Sequence, residues 1–207
     1  MIIEKNVWIL RPMPHSINRM KQFLDDGFIA IGYPAGKSFT GKSYDELKGI
    51  LDQEDWSEGI GNVNLFVLMM NVGDYAIVPD DNKKDVYIGE ITSDYYHEPA
   101  VDKPNEGFYP HQRKVTWFFD KKPLLRSQLP EELRGSLRYP GTIANITKHR
   151  SIVEGLINNE SNTKNEENSN PILDKAIHVL EALLDDPNTE IRLKAAEALT
   201  RYYSEKK

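Results

Sequence analysis

The side chains best equipped for chemistry in this sequence are aromatic and basic. Trp8, Tyr33, Trp56, Tyr95, Tyr96 and Trp117 stand in short apolar runs or beside loops. Flat rings of this kind stack on flat heterocycles, and each stacked nucleobase is worth roughly 1–3 kcal/mol. Ser57 follows Trp56, and Asn62 soon after carries a donor and an acceptor on one amide, which a base edge can satisfy. The run His111-Gln112-Arg113-Lys114 fits a strand edge that contacts phosphates, and Arg134 and Arg138 extend the basic set. Each aromatic also has a packing role open to it, because aromatics dominate small cores. Mid-strand positions favour the core for Trp8 and Trp117. Tyr33 and Trp56, at loop edges, favour a pocket.

Other chemistries find less support. Cysteine is absent, which removes thiolate zinc sites, cysteine nucleophiles and disulfides together. The five histidines show no metal-ligand spacing. His97 and His111 could move protons, but no carboxylate pair or nucleophile stands at supporting spacing. Pro79-Asp80 followed by Glu90-Ile91-Thr92 echoes a Pro-Asp…Glu-x-Lys nuclease core, yet Thr92 replaces the lysine that would support a metal-bound hydroxide. Gly36-Lys37-Ser38 and Gly41-Lys42-Ser43 lack the upstream glycine spacing of a phosphate-binding loop. The expectation is no catalytic residue, no metal and no cofactor.

The elements that must position these residues are short. Val7-Trp8-Ile9-Leu10 predicts a buried strand, stopped by Arg-Pro-Met-Pro. Ser16 predicts the cap of a helix carrying Met20, Phe23 and Leu24, with Gly27 as its stop. Phe28–Ile31 predicts a second strand, and Ser43-Tyr44-Asp45-Glu46 a capping box for a helix running to about Leu51. Leu65–Met70 predicts a helical run that ends at Val72-Gly73-Asp74. Tyr75–Val78 and Val86–Thr92 flank a hairpin turn at Asp80-Asp81-Asn82. Arg113, Val115, Trp117 and Phe119 alternate with Lys114, Thr116 and Phe118 at the period of a strand. Pro130 opens a short helix through Leu137, and Thr142–Ile146 predicts a last strand. The pattern implies an α+β domain over 1–157, built on a small curved sheet or open barrel with helices beside it.

Beyond it, 158–171 (NNESNTKNEENSNP) is Asn/Glu/Ser-rich without apolar periodicity and predicts a flexible linker. Residues 172–207 then carry two apolar runs at helical spacing, separated by Asp185-Asp186-Pro187-Asn188, which predicts a helix pair.

The 207 residues are 39% hydrophobic and 10% aromatic, enough for a packed core, and carry a net charge of −6. That charge is uneven. Lys and Arg number 9 against 17 Asp and Glu over 1–102, 10 against 4 over 103–150, and 7 against 11 over 151–207. A basic block inside an acidic chain is the footprint of a phosphate-bearing partner, though the same charges can also scatter and cancel around a fold. No apolar run approaches membrane-spanning length, and Glu4 and Arg11 interrupt the apolar core an export signal needs, so the expected location is the cytoplasm.

Several motifs in order resemble a known family. VWILRPMP resembles the opening strand and loop of EVE-type and other PUA-like domains. Trp56-Ser57-Glu58-Gly59-Ile60-Gly61-Asn62 and Met70-Asn71-Val72-Gly73-Asp74 are similar to that family's Trp-x-Gly-x-x-Asn stretch and Met-x-x-Gly-Asp turn. The nearest likeness is to the DNA-reading domains of Mrr-type modification-dependent restriction systems. It runs through Ile31-Gly32-Tyr33, Tyr87-Ile88-Gly89-Glu90-Ile91, Ser93-Asp94-Tyr95, His111-Gln112-Arg113-Lys114-Val115-Thr116-Trp117, Arg134, Ser136-Leu137 and Thr142-Ile143, covering about residues 5–147. The tail segment DDPNTEIRLKAAEAL resembles one HEAT-type repeat, which needs neighbours to bury its face.

The resemblance implies a reader that holds one flipped, modified nucleobase among aromatics and recovers the few kcal/mol of lost stacking there. DNA is the favoured nucleic acid. The restriction architecture places a nuclease or motor after its reader, and this sequence contains neither, so the reader would serve a separate effector. Residues 172–207 would meet that effector or a second copy. Two other readings stay open: a protein-interaction module on an inert PUA-like scaffold, and an RNA-binding PUA-like protein.

Overall fold

An all-apolar tetrapeptide suits a strand that is covered on both faces. In the computed structural model, which describes residues 4–34, 36–167 and 171–205, Val7-Trp8-Ile9-Leu10 is such a strand. It is β1 (Val7–Leu10), and all four side chains are buried. The chain divides into two compact units, Met1–Ile157 and Asn158–Lys207.

The first unit is α+β with a curled, open, mixed sheet. Its remaining strands are β2 (Phe28–Ile31), β3 (Tyr75–Pro79), β4 (Asp85–Ile91), β5 (Tyr96–His97), β6 (His111–Trp117), β7 (Leu124–Leu125) and β8 (Ile143–Asn145). The strand order is β2-β6-β4-β3-β1-β8, with β5 on β6 and β7 on β4. Among the described residues β1 and β3 are the one parallel pair, in register Trp8 to Ala76, and the other pairings are antiparallel.

Alternation along β1 and β3 feeds two cores. Val7, Ile9, Tyr75 and Ile77 meet Leu133 and Leu137 near α4 (Glu131–Ser136) and Val153 of α5 (Arg150–Glu167). Trp8, Leu10, Ala76 and Val78 join the opposite cluster. There they meet Phe23 of α1 (Met20–Asp26), Leu47 and Leu51 of α2 (Tyr44–Gln53), and Val63 of α3 (Ile60–Asn64). Fully burying one such side chain contributes about 1.5–3 kcal/mol. The anticipated capping box is present: Ser43 Oγ accepts from Glu46 N–H while the Glu46 carboxylate accepts from Ser43 N–H.

Two local expectations give way. Ser16 does not cap α1; it sits at φ +60° in the loop, and the Asn18 side chain accepts from Met20 N–H instead. Leu65–Met69 forms a π-turn that continues α3. Its carbonyls matter below.

The second unit holds α6 (Pro171–Ala182) and α7 (Thr189–Glu205), packed on each other and joined by a short turn. The segment expected to be a flexible linker, 158–171, is helical through most of its length, because α5 runs on through Glu167 and α6 begins at Pro171. Ile152, Val153, Leu156 and Ile157 anchor the first turns of α5 in a core, and adding turns to an existing helix costs little compared with nucleating one. Residues 168–170 lie outside the described set. Among the described residues no helix is long and apolar enough to cross a membrane.

Candidate functional site

The expected site residues divide among four environments. Trp8 and Trp117 are interior residues and form no pocket wall. Trp8 is 1% exposed and its indole N–H donates to Asp74 at 2.8 Å, while Trp117 donates to the Phe23 carbonyl at 2.8 Å. Trp8 lies within β1 and Trp117 ends β6, each with a core on its side of the sheet, so its ring fills that core. The Asp74 partnership also explains the Val-Gly-Asp turn structurally. One carboxylate oxygen accepts from Asn6 N–H, the other from Trp8 and Asn71 N–H, and Gly73 at φ +94° makes the turn.

Arg113 and His111 are interior as well, which corrects their assignment to phosphate contacts. Arg113 is 2% exposed, and its guanidinium donates to the carbonyls of Phe66 (2.8 Å), Val67 (3.0 Å) and Ser93 (3.2 Å). Burial lowers its pKa to about 10. It secures the carbonyls that a π-turn leaves unpaired. His111 is fully buried, stacks on Phe39 at 4.1 Å, and meets the Tyr95 hydroxyl through Nδ1 at 2.8 Å. Burial, with His97 nearby, pushes its pKa down to about 3. Tyr95, whose hydroxyl also accepts from Phe39 N–H, belongs to this stack; burial pushes that hydroxyl up to about 12. Tyr96 donates to Gln112 Oε1, and exposed Lys114 lies 5.6 Å over its ring.

Tyr33 and Trp56 do come together, in a cavity of about 230 Å³. Its remaining walls come from Arg11 and residues 13–16 after β1, the end of β2 with Gly32, and Thr142 before β8. Tyr33 and Trp56 meet at 5.7 Å and 71°, and His15 meets Trp56 at 5.9 Å and 89°. The rings therefore form a corner, not two parallel walls. A flat heterocycle could stack on one face and meet the edges of the others.

Supporting residues hold the corner in place. Asn62 does not line the cavity; its amide donates to the Tyr33 hydroxyl at 3.0 Å. Burial raises the pKa of that hydroxyl, keeping it a neutral phenol. Gly59 lies beneath the ring, where a Cβ would come within 2.2 Å of Tyr33 Cε1. Gly32 does the same for His15, with a Cβ 2.5 Å from Nε2. Ser57 is exposed in the turn Ser57–Gly59 and lies off the cavity wall.

His15 and Arg11 are the pocket residues that sequence reasoning missed. His15 packs against Phe108 at 4.0 Å with the rings tilted by 49°, and burial, assisted by Arg19, lowers its pKa, so its ring is neutral at neutral pH. Its Nε2 is buried without a hydrogen-bond partner among the described residues. His15 and Ser16 both occupy the left-handed region, at φ +52° and +60°. Such conformations in non-glycine residues cost of order 1–3 kcal/mol and cluster at ligand sites.

Arg134 and Arg138 lie in a separate groove of about 480 Å³ with Lys83, Lys84, Leu125, Arg126 and Ser127. Glu131 pairs with Arg134 and, at 3.7 Å, with Arg138. Among the described residues no group of three His, Cys, Asp or Glu side chains is placed to hold a metal ion.

No curated protein matches this chain. Among solved structures the chain is similar to the NMR structure of Rpa0253 from Rhodopseudomonas palustris. The two share 18% identity over 75% of this chain and 92% of that one, with a TM-score of 0.34. A family model matches residues 13–138, more than half of the chain, taking in His15, Tyr33, Trp56 and the groove arginines 126, 134 and 138. The chain thus belongs to the family described as Domain of unknown function DUF8426.

Proposed function

We propose that this protein is a non-catalytic nucleic-acid reader on a PUA-like domain, which accepts one flipped nucleobase in the pocket of Tyr33, Trp56 and His15. The observation that carries the reading is the aromatic corner itself: three rings at an open cavity, one of them on a loop with two left-handed non-glycine residues. Structural aromatics are normally covered, whereas Trp56 is only half-buried and faces the cavity. The volume of about 230 Å³ falls below the roughly 300–1,000 Å³ of pockets for drug-sized ligands and suits a single small heterocycle. A methyl or hydroxymethyl group on the base would add apolar area within the corner, which is how a modified base would be preferred. DNA remains the favoured polymer, and a separate effector would act on what is read.

The test is binding of the purified protein to modified and unmodified oligonucleotides, of DNA and RNA, single- and double-stranded. Trp56→Ala should weaken binding by one to two decades, in keeping with roughly 1–3 kcal/mol of stacking. The loss should be larger for the preferred modified base than for its plain counterpart. Equal binding of every base by wild type and variant alike would remove the reading.

A second reading rests on α6 and α7, where Val179, Leu193 and Tyr203 are each more than half exposed. Large exposed apolar side chains on a lone helix pair are the kind of surface a partner covers. This helix pair, similar to a HEAT repeat, is where an effector or a second copy would dock. Deleting residues 172–207 should then abolish that association and leave oligonucleotide binding unchanged.

A further inference from the structure

The basic groove has its own construction. Its floor is the pairing of β7 with the start of β4, Asp85 to Leu125 and Val86 to Leu124, closed by Arg126 N–H donating to the Lys84 carbonyl at 2.7 Å. Lys83 and Lys84 rise from the turn on one side, and Arg134 of α4 with Arg138 on the other. These five cations line the groove, and among the described residues no acidic side chain lines it with them. Glu131, which pairs with Arg134 and Arg138, leaves Lys83, Lys84 and Arg126 uncompensated by it. Arg134 Nε is buried without a hydrogen-bond partner among the described residues. Burial lowers the pKa of Arg126, and the like charges of Arg11 and Arg138 lower it further.

The groove is also continuous with the aromatic pocket along the chain. Arg138 rims the groove, Pro140 and Gly141 line an intermediate cavity, and Thr142 lines the pocket. Arg11 belongs to both the pocket and the intermediate cavity, and its guanidinium donates to the Tyr139 carbonyl at 2.6 Å. The 138–142 segment is therefore a short path from the corner of rings to the cluster of cations.

We propose that the groove of Lys83, Lys84, Arg126, Arg134 and Arg138 holds the phosphodiester backbone of the strand whose base enters the pocket. The direction of the path rests on reading the pocket as a base slot; the anion site does not. The groove's volume of about 480 Å³ and its multiple donors favour a polymer over a single phosphate, since the cations are spread over three separate segments of chain. Fork-shaped guanidinium groups suit phosphate oxygens.

The test measures binding of fluorescein-labelled mixed-sequence DNA, single- and double-stranded, between about 50 and 200 mM salt. Arg126→Gln/Arg138→Gln should weaken binding at least tenfold at the lower salt and lower the slope of log K against log salt by about two. The paired Arg→Lys variant should restore most of the slope. Trp56→Ala should weaken binding with the slope unchanged, because stacking releases no counterions. Circular dichroism melts of each variant keep loss of fold apart from loss of contact. If the groove variants keep wild-type affinity and slope while Trp56→Ala weakens binding, the groove proposal is overturned and the base slot stands. If the groove variants lose slope while Trp56→Ala binds normally, the base slot falls and the groove stands. Displacement of the labelled DNA by tripolyphosphate as effectively, per phosphate, as by unlabelled DNA would assign the groove to small anions and overturn the polymer.

Discussion

Arg113 shows how a residue's charge and its strand position can point in opposite directions. By type it belongs with phosphate contacts; by alternation it shares a face with Val115 and Trp117, and that face is interior. The period was visible in the sequence. The carbonyl acceptors were not, because they belong to a π-turn distant along the chain, at Phe66 and Val67. The structure reverses the expected effect of losing this side chain. Arg113→Ala should leave three partly or wholly buried carbonyls unpaired, at about 1–3 kcal/mol for each that water cannot reach. We expect a loss of at least about 2 kcal/mol in urea denaturation, with no change in the salt slope of nucleic-acid binding for the fraction that folds. A stable Arg113→Ala protein with a reduced salt slope would return the residue to the surface. Trp56 is the opposite case. Its place beside a loop was legible in the sequence, and the structure puts it on the cavity wall with Tyr33, as the loop position suggested.

At the scale of elements, strands and caps were readable because their signals are local. β1, β2 and β3, the Ser43 capping box and the β3–β4 hairpin all follow from residue types within a few positions of one another. The pocket was only half readable, since it needs the loop after β1 to lie against the turn after α2, and no local pattern announces that meeting. His15 and Gly59 were missed for this reason. Gly59 carries a weak signal, a glycine three residues after a candidate stacking tryptophan, but its purpose shows only beside the Tyr33 ring. Its φ of −77° suits any residue, so a substitution there acts through the ring contact and not the backbone. Gly59→Ala should push Tyr33 aside and cost about 1–3 kcal/mol as overpacking does, with altered Trp56 fluorescence and weakened base discrimination. Gly61→Ala, where a Cβ would meet nothing within 4 Å, is the control. It should be neutral or stabilise by about 0.5–1 kcal/mol, because alanine suits a helix better than glycine. Equal behaviour of the two variants would separate Gly59 from the pocket.

For the whole molecule, the −6 net charge conceals a division that only the fold makes spatial. The basic block of 103–150 supplies Arg126, Arg134 and Arg138 to one groove, but it also supplies Arg113 to the interior, and the groove takes Lys83 and Lys84 from the acidic part of the sequence. Segment charge therefore located the patch only in part. The interior has its own titration behaviour. His15, His111 and His149 all have pKa values lowered chiefly by burial, so the folded state resists protonation at each. Unfolded histidines bind protons near pH 6.5, whereas folded His111 does so near 3. The unfolded state thus binds more protons across that window, and stability must fall as pH falls from 6.5 toward 3. The slope from His111 alone is about 1.4 kcal/mol per pH unit once the unfolded group is protonated, or about 2 kcal/mol between pH 6.5 and 5. His97 faces His111 at 5.6 Å and its protonation would oppose a second charge there, while the Tyr95 hydroxyl stays neutral throughout. Urea denaturation at pH 7.5 and 5 should show at least that loss in the wild type. His111→Gln should be less stable at pH 7.5 but flatter between the two pH values. A wild-type stability that does not change over this range would mean that His111 accepts a proton in the folded state, and the stack of Phe39, Tyr95 and His111 would then be open to water.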